Sequence, residues 1–405
     1  MEASNLTRLW NAVQQEPGDP SRLRALAENL EHTQLPEPGL TILQQLSFAL
    51  WQSSWDWEAL YLRYTPAVEH LLELTISLGG RNPDTSAPSV SVHLEQLERA
   101  RELAWRFNLP AREIHCLLEC ASLLRQLNRS NQAVLYCRRA LLLSTELESG
   151  FSRSHLRGRA FTLLAMLLQT SDLEKALENL RLGIGAFLEI ESTQNAIVCW
   201  ELLAQLHEAN GDLQSAIYAQ ARAIELLELT DRDEELLKHV LRQVNLLLEV
   251  SAVRKAKSLC MVGIELAEQL SDDRESGIGY LLLGNIYYRD QQWELAEQQY
   301  QQASECFQRS AAFSLLRHAL LSLFESSRQR SNWSSAVEAL VAAIRLAYTI
   351  GQRLEQTDIM MVSVLWAEIH GNGASSGQIE KWHLQLLQLA QELQSPELID
   401  ILTLA

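Results

Sequence analysis

From about residue 92 onward the chain consists of stretches rich in Leu, Ala, Glu and Gln. Nowhere does it show the apolar–polar alternation, enriched in Val, Ile and Thr, of a half-buried strand. The nine prolines fall at 17, 20, 36, 38, 66, 83, 88, 110 and 396, so none lies between 111 and 395. Proline removes an amide donor and clashes with the preceding turn; a proline-free stretch of strong helix formers therefore predicts helix after helix. The expected fold class is all-α. Residues 1–79 read as an N-terminal helical segment, broken by "EPGDP" and "LPEPG". Residues 80–91, "GRNPDTSAPSVS", read as a linker, and 92–405 as a regular array with capping helices at its C-terminal end. One late loop, "GNGASSG" at 371–377, interrupts the final helices.

The array carries a repeat. Alanines stand at 176, 216, 256, 296 and 336, each 40 residues from the last, with Ala133 lying 43 before the first. Seven residues after each comes a small residue: Ala140, Gly183, Ala223, Gly263, Ala303 and Ala343. Three residues before them stand Leu173, Leu213, Val253, Trp293 and Trp333. Two antiparallel helices approach closely only where small side chains face each other, with large ones filling the space alongside. One helix pair cannot bury its apolar faces alone, and stacking the next pair buries them.

The best copy, Tyr280, Leu283, Gly284, Tyr287, Ala296, Tyr300 and Ala303, resembles the tetratricopeptide repeat. A second, Trp200, Leu203, Ala204, His207, Ala216 and Ala223, follows the same pattern. The resemblance is clearest over 114–350, and the usual proline at the end of each unit is missing. The 40-residue period resembles that of Pins-type scaffolds, kinesin light chains and Rap-type regulators. It implies a right-handed superhelical solenoid of antiparallel helix pairs whose first helices line a concave groove.

In that family the residue after the Leu-Gly column points into the groove. The equivalent column here is Ser122, Ala165, Gln205, Asn245, Asn285 and Glu325. A carboxamide both donates and accepts, so Gln205, Asn245 and Asn285 suit an extended peptide backbone. Neighbouring columns add Lys238, Arg242, Ile278, Leu281, Leu282, Tyr288 and Arg289. The expected groove is mixed, with apolar pockets and local positive charge, and suits a partner segment that is acidic and apolar. Capture of a chaperone's C-terminal carboxylate, a known task of the family, is not expected. The Lys column it needs reads Leu118, Phe161, Glu201, Leu241, Leu281 and Leu321.

The remaining composition narrows the function. A formal net charge of −17 opposes non-specific nucleic-acid binding. No apolar run reaches the ~18 residues of a membrane helix, and "MEASNLTRLWNAVQQEPGD" lacks a signal peptide's apolar core. The six cysteines (116, 120, 137, 199, 260 and 306) have no metal-ligand spacing and read as buried apolar residues in a reducing cytoplasm. His115 and Cys116 are adjacent on a helix and so diverge by about 100°, which makes a poor catalytic pair. "GIGYLLLG" at 277–284 follows no strand, so its glycines read as packing positions. "TDRDEE" at 230–235 and "SDDRES" at 271–276 supply Asp and Ser for helix caps. Trp51, Trp55 and Trp57 read as packing for the N-terminal segment, with an exposed partner surface as the alternative. No catalytic residue, metal or cofactor is expected. The expected function is a non-catalytic scaffold that binds a peptide segment of another protein. The alternatives are a peptide-responsive regulator whose N-terminal helices engage an effector, and an accessory subunit of an enzyme complex.

Overall fold

The computed structural model describes Arg8 and residues 87–351, 354–371 and 376–403. Trp51, Trp55 and Trp57, and the 1–79 segment apart from Arg8, lie outside the described residues. Sixteen helices run between Ala87 and Thr403, and no strand occurs among the described residues. They are α1 (Ala87–Arg106), α2 (Pro110–Gln126), α3 (Ser130–Ser144), α4 (Phe151–Leu168), α5 (Leu173–Leu188), α6 (Thr193–Ala209), α7 (Leu213–Leu227) and α8 (Asp233–Glu249). There follow α9 (Val253–Gln269), α10 (Asp273–Arg289), α11 (Trp293–Arg309), α12 (Phe313–Gln329), α13 (Trp333–Thr349), α14 (Gln356–Gly371), α15 (Ser376–Glu392) and α16 (Pro396–Thr403). Helix α1 begins inside the segment read as linker, so residues 87–91 are helical.

The chain forms two compact units, one ending at Leu206 and the other beginning at His207, both within α6. In the first, each helix from α1 to α5 packs on the next, and α2 also touches α4. In the second, consecutive helices from α7 to α13 pack in the same way, and α8 touches α10.

The 40-residue register appears directly in the helix boundaries. The large residues at 173, 213, 253, 293 and 333 are the first residues of α5, α7, α9, α11 and α13. The alanines at 133, 176, 216, 256, 296 and 336 are all fully buried, as are Ala140, Ala223, Ala303 and Ala343. Small residues thus sit at the contacts between paired helices, and large neighbours occupy the space they leave. A Cβ on Gly284 of α10 would lie 2.5 Å from Cε1 of Tyr300 on α11. Tyr300 is 2% exposed and donates a 2.8 Å hydrogen bond to Asn285 Oδ1. Phe307 fills the space beside Gly277 in the same helix pair, and Phe187 the space beside Gly158 in the first unit.

The turns repeat as well. Gly211, Ser251, Gln291 and Ser331 all have left-handed backbone, as do Glu191, Ser271, Ala311 and Gly351. The residue after each of the first four donates its amide to the carbonyl five positions back: Asp212 to His207, Ala252 to Leu247, Gln292 to Tyr287 and Asn332 to Ser327. This 6→1 bond, which ends a helix at a left-handed residue, satisfies carbonyls the helix leaves unpaired. The second series skips 231, where α7 ends early and five residues precede α8.

Caps follow the sequence only in part. Asp172 and Asp212 accept from backbone amides at the starts of α5 and α7, and Asp272 does so for α10. The aspartates of 230–235 do not cap α8: Arg232 stands at the cap position and no side chain bonds there. The six cysteines are buried free thiols.

Candidate functional site

The residues predicted to line a groove lie on α6, α8 and α10 and divide by burial and partner. In the second unit, Lys238 and Asn245 of α8 are exposed. Arg242, between them, forms a 2.7 Å ion pair with Glu208. On α10, Asn285 is half-buried and its oxygen holds the Tyr300 hydroxyl. Tyr288 donates to Glu325 at 3.2 Å and meets Trp293 edge-on, with ring centroids 4.8 Å apart. Burial, and then the Glu325 charge, push its pKa up. Arg289 donates to the Leu248 carbonyl at 2.6 Å, near the C-terminal end of α8, where a cation is favoured. Ile278 is half-buried and packs against the core. In the first unit, Gln205 is exposed and donates to Glu201 at 3.2 Å.

Two expectations need correction. Leu281 and Leu282 are each 6% exposed and belong to buried core clusters, so neither lines an open groove. At the column position of Leu281, Leu118 and Leu241 are buried too, whereas Phe161, Glu201 and Leu321 are only half-buried. The expected positive charge is also largely spent. Besides Arg242 and Arg289, Arg328 of α12 bonds Glu325 at 2.7 Å and reaches Glu368 of α14 at 2.6 Å. Burial raises the Glu325 pKa, but hydrogen bonds from Arg328 and Gln329 outweigh it and hold the carboxyl below its usual value. The hydrogen bond to Glu325 raises the pKa of Arg328. The chain Tyr288–Glu325–Arg328–Glu368 therefore ties α10, α12 and α14 together. Glu325 continues the carboxamide column, and Arg328 and Glu368 lie 40 and 80 residues after Tyr288, so the period carried this signal.

The first unit holds a feature that was not expected. A cavity of about 180 Å³ opens between α2, α4 and α6. Leu118 and Phe187 form its floor, the latter reaching in from α5. Leu163, Met166 and Val198 form an apolar lip, and Val198 is 39% exposed. Glu119 and Arg159 stand at the rim and pair with each other at 2.5 Å. Ser122, the first member of the carboxamide column, lines it as well. Thr162 and Cys199 lie 3.0 Å apart in its wall. Burial pushes the Cys199 thiol up to about 11, so it is no nucleophile.

Among the described residues no group of three or more His, Cys, Asp or Glu could hold a metal ion. No described helix is long and apolar enough to cross a membrane. No family model and no curated protein matches the sequence. Solved structures do match. The apo form of RapI aligns with a TM-score of 0.55 at 10% identity, over 82% of this chain and 94% of its own. The C-terminal part of a TPR repeat-containing protein from Cytophaga hutchinsonii aligns with a TM-score of 0.52 at 13% identity, over 73% of this chain and 97% of its own. Similarity at this identity speaks for the fold, and it agrees with the 40-residue register and the buried alanine columns. The chain is an all-α helical-repeat protein with the tetratricopeptide-like fold.

Proposed function

We propose that this protein is a non-catalytic interaction scaffold that binds an extended peptide segment of a partner across the uncovered faces of its first helices. The observation that carries the reading is the pair Asn245 and Asn285. They share one register position on α8 and α10, which touch. One is exposed and the other half-buried. A carboxamide whose oxygen is occupied, as in Asn285, still carries two N–H donors for a peptide carbonyl. With Arg242, Arg289 and Arg328 engaged within the protein, the partner segment is polar and apolar rather than strongly acidic.

The test is a phage-displayed random-peptide library selected on the full chain, with affinities measured by calorimetry. Asn245→Ala should leave the melting temperature unchanged, since the side chain is exposed. It should weaken selected peptides about tenfold, the worth of one lost hydrogen bond to a peptide group left unpaired. Asn285→Ala alone would strand the Tyr300 hydroxyl in the core, so it is combined with Tyr300→Phe. A library that yields no binder, or binders indifferent to both variants, would remove the reading.

A further inference from the structure

We propose that the cavity between α2, α4 and α6, which lies within the first unit, is an anchor pocket for a peptide segment, and that it takes one uncharged apolar side chain of Leu, Met or Phe size. The inference rests on the peptide-binding reading and adds to it the place and chemistry of the anchor.

Size sets the class of occupant. Pockets for small molecules generally enclose about 300–1,000 Å³. This cavity encloses about 180 Å³. That is close to the roughly 150 Å³ apolar cavity known to hold a benzene ring. It therefore fits one aliphatic or phenyl side chain, and the rest of the ligand lies outside along α2, α4 and α6.

The walls set its polarity. Phe187 cannot withdraw from the floor, because its ring already lies against the Gly158 backbone, where even a Cβ would come within 2.7 Å. Met166 and Val198 form a lip of adaptable and exposed apolar surface, and an entering side chain would cover it. The wall's polar groups are engaged: the Thr162 hydroxyl donates to the Gly158 carbonyl at 2.8 Å and touches Cys199.

The rim sets the charge. Glu119 and Arg159 are 13% and 32% exposed and neutralise each other. An anchor carboxylate would face Glu119, and an anchor ammonium would face Arg159. Either would have to break the pair or enter an apolar floor unpaired, so a neutral side chain is preferred. Asn195, at the same rim, donates to Ser192 at 2.9 Å and keeps a second N–H for the peptide backbone beside the anchor.

The position agrees with the repeat. The carboxamide column begins with the small Ser122 in α2, continues with Ala165 in α4, which is buried, and reaches the exposed Gln205 in α6. The cavity opens beside Ser122, where the column has no long side chain to fill the space.

The experiment uses the full chain and the phage-displayed random-peptide library. Ser122→Trp should plug the cavity from its rim, and Val198→Lys should place a cation on its exposed lip. Melting curves check that both variants fold. Peptides selected on the wild type should share a Leu, Met or Phe. Alanine at that residue, Ser122→Trp and Val198→Lys should each weaken binding by about thirtyfold or more, as expected for a central anchor. The Met166 methyl resonance should shift on binding. Peptides that require Asn245 but are indifferent to Ser122→Trp and Val198→Lys would overturn the pocket and leave the peptide site standing. Selected anchors that are charged would overturn it too. No selected peptide, or none sensitive to any of these residues, would overturn both.

Discussion

A single methyl group tests the packing rule of this fold. Gly284→Ala would place a Cβ 2.5 Å from the Tyr300 ring. An ordinary carbon contact is about 3.5–4.0 Å, so ring and helix must separate by roughly 1 Å. Tyr300 has little room to retreat, being 2% exposed and tied to Asn285. Overpacking costs about 1–3 kcal/mol, and a strained or lost hydrogen bond adds about 1 kcal/mol. Against this, Ala favours the helix over Gly by about 1 kcal/mol. The net is a destabilisation of about 1–3 kcal/mol, read as a lower midpoint in urea followed by far-ultraviolet circular dichroism. In a Tyr300→Ala background the ring is gone and only the helix preference remains. There Gly284→Ala should stabilise by about 1 kcal/mol. The sign reversal is the test: the same loss in both backgrounds, or a gain in the wild type, would refute the fit of small against large residues.

Ala311 has φ 52°, is exposed, and ends α11 in the left-handed region, where a Cβ is disfavoured. Ala311→Gly should raise stability by about 0.5–1 kcal/mol after the entropy of the unfolded glycine is subtracted, and a lower melting temperature would contradict the turn geometry. Burial pushes the thiols of Cys116, Cys137 and Cys260 up to about 12. Burial and hydrogen bonds to Glu98 and Glu268 likewise push Tyr136 and Tyr280 to about 12. With folded values above unfolded ones, this stability is intact below the unfolded thiol value of 9.0 and is lost as pH rises towards 12. The melting temperature should therefore fall steadily from about pH 9 upward, and the thiols should resist an aromatic disulfide reagent until the chain unfolds. A flat alkaline profile, or rapid labelling of the native protein, would refute the burial.

The repeat was legible because close helix contact leaves a mark in one dimension: only small residues fit, so Ala176, Ala216, Ala256, Ala296 and Ala336 recur at fixed intervals and are all buried. The candidate site was legible in phase but not in partnership. A column locates a Cα on a helix face, whereas a long side chain chooses its partner from the neighbouring helix. Arg242 reaches back to Glu208 and Arg289 to the Leu248 carbonyl, and neither pairing follows from the 40-residue step. Leu281 was misread because a carried-over groove position holds leucine here and turns to the core, as Leu118 and Leu241 do. The cavity was not legible because Phe187, its floor, comes from a second helix, and because a small residue such as Ser122 marks an opening only through what its neighbours leave unfilled.

Apart from the gap at 231, left-handed turns fall about every 20 residues, at 191, 211, 251, 271, 291, 311, 331 and 351. Adjacent helices therefore meet after the chain has closed only a short loop, and the entropy of closure is much the same at each step. Folding then needs no distant pairing to start it. A single helix hairpin can nucleate within either unit, and its neighbours can add one by one, as in a one-dimensional lattice. The rate should depend on the strength of the best hairpin rather than on chain length. The α10–α11 pair, with Gly284 against Tyr300 and Gly277 against Phe307, is the natural place for that first step. Substitutions there should slow refolding, whereas those at the C-terminal helices α15 and α16 should mainly hasten unfolding.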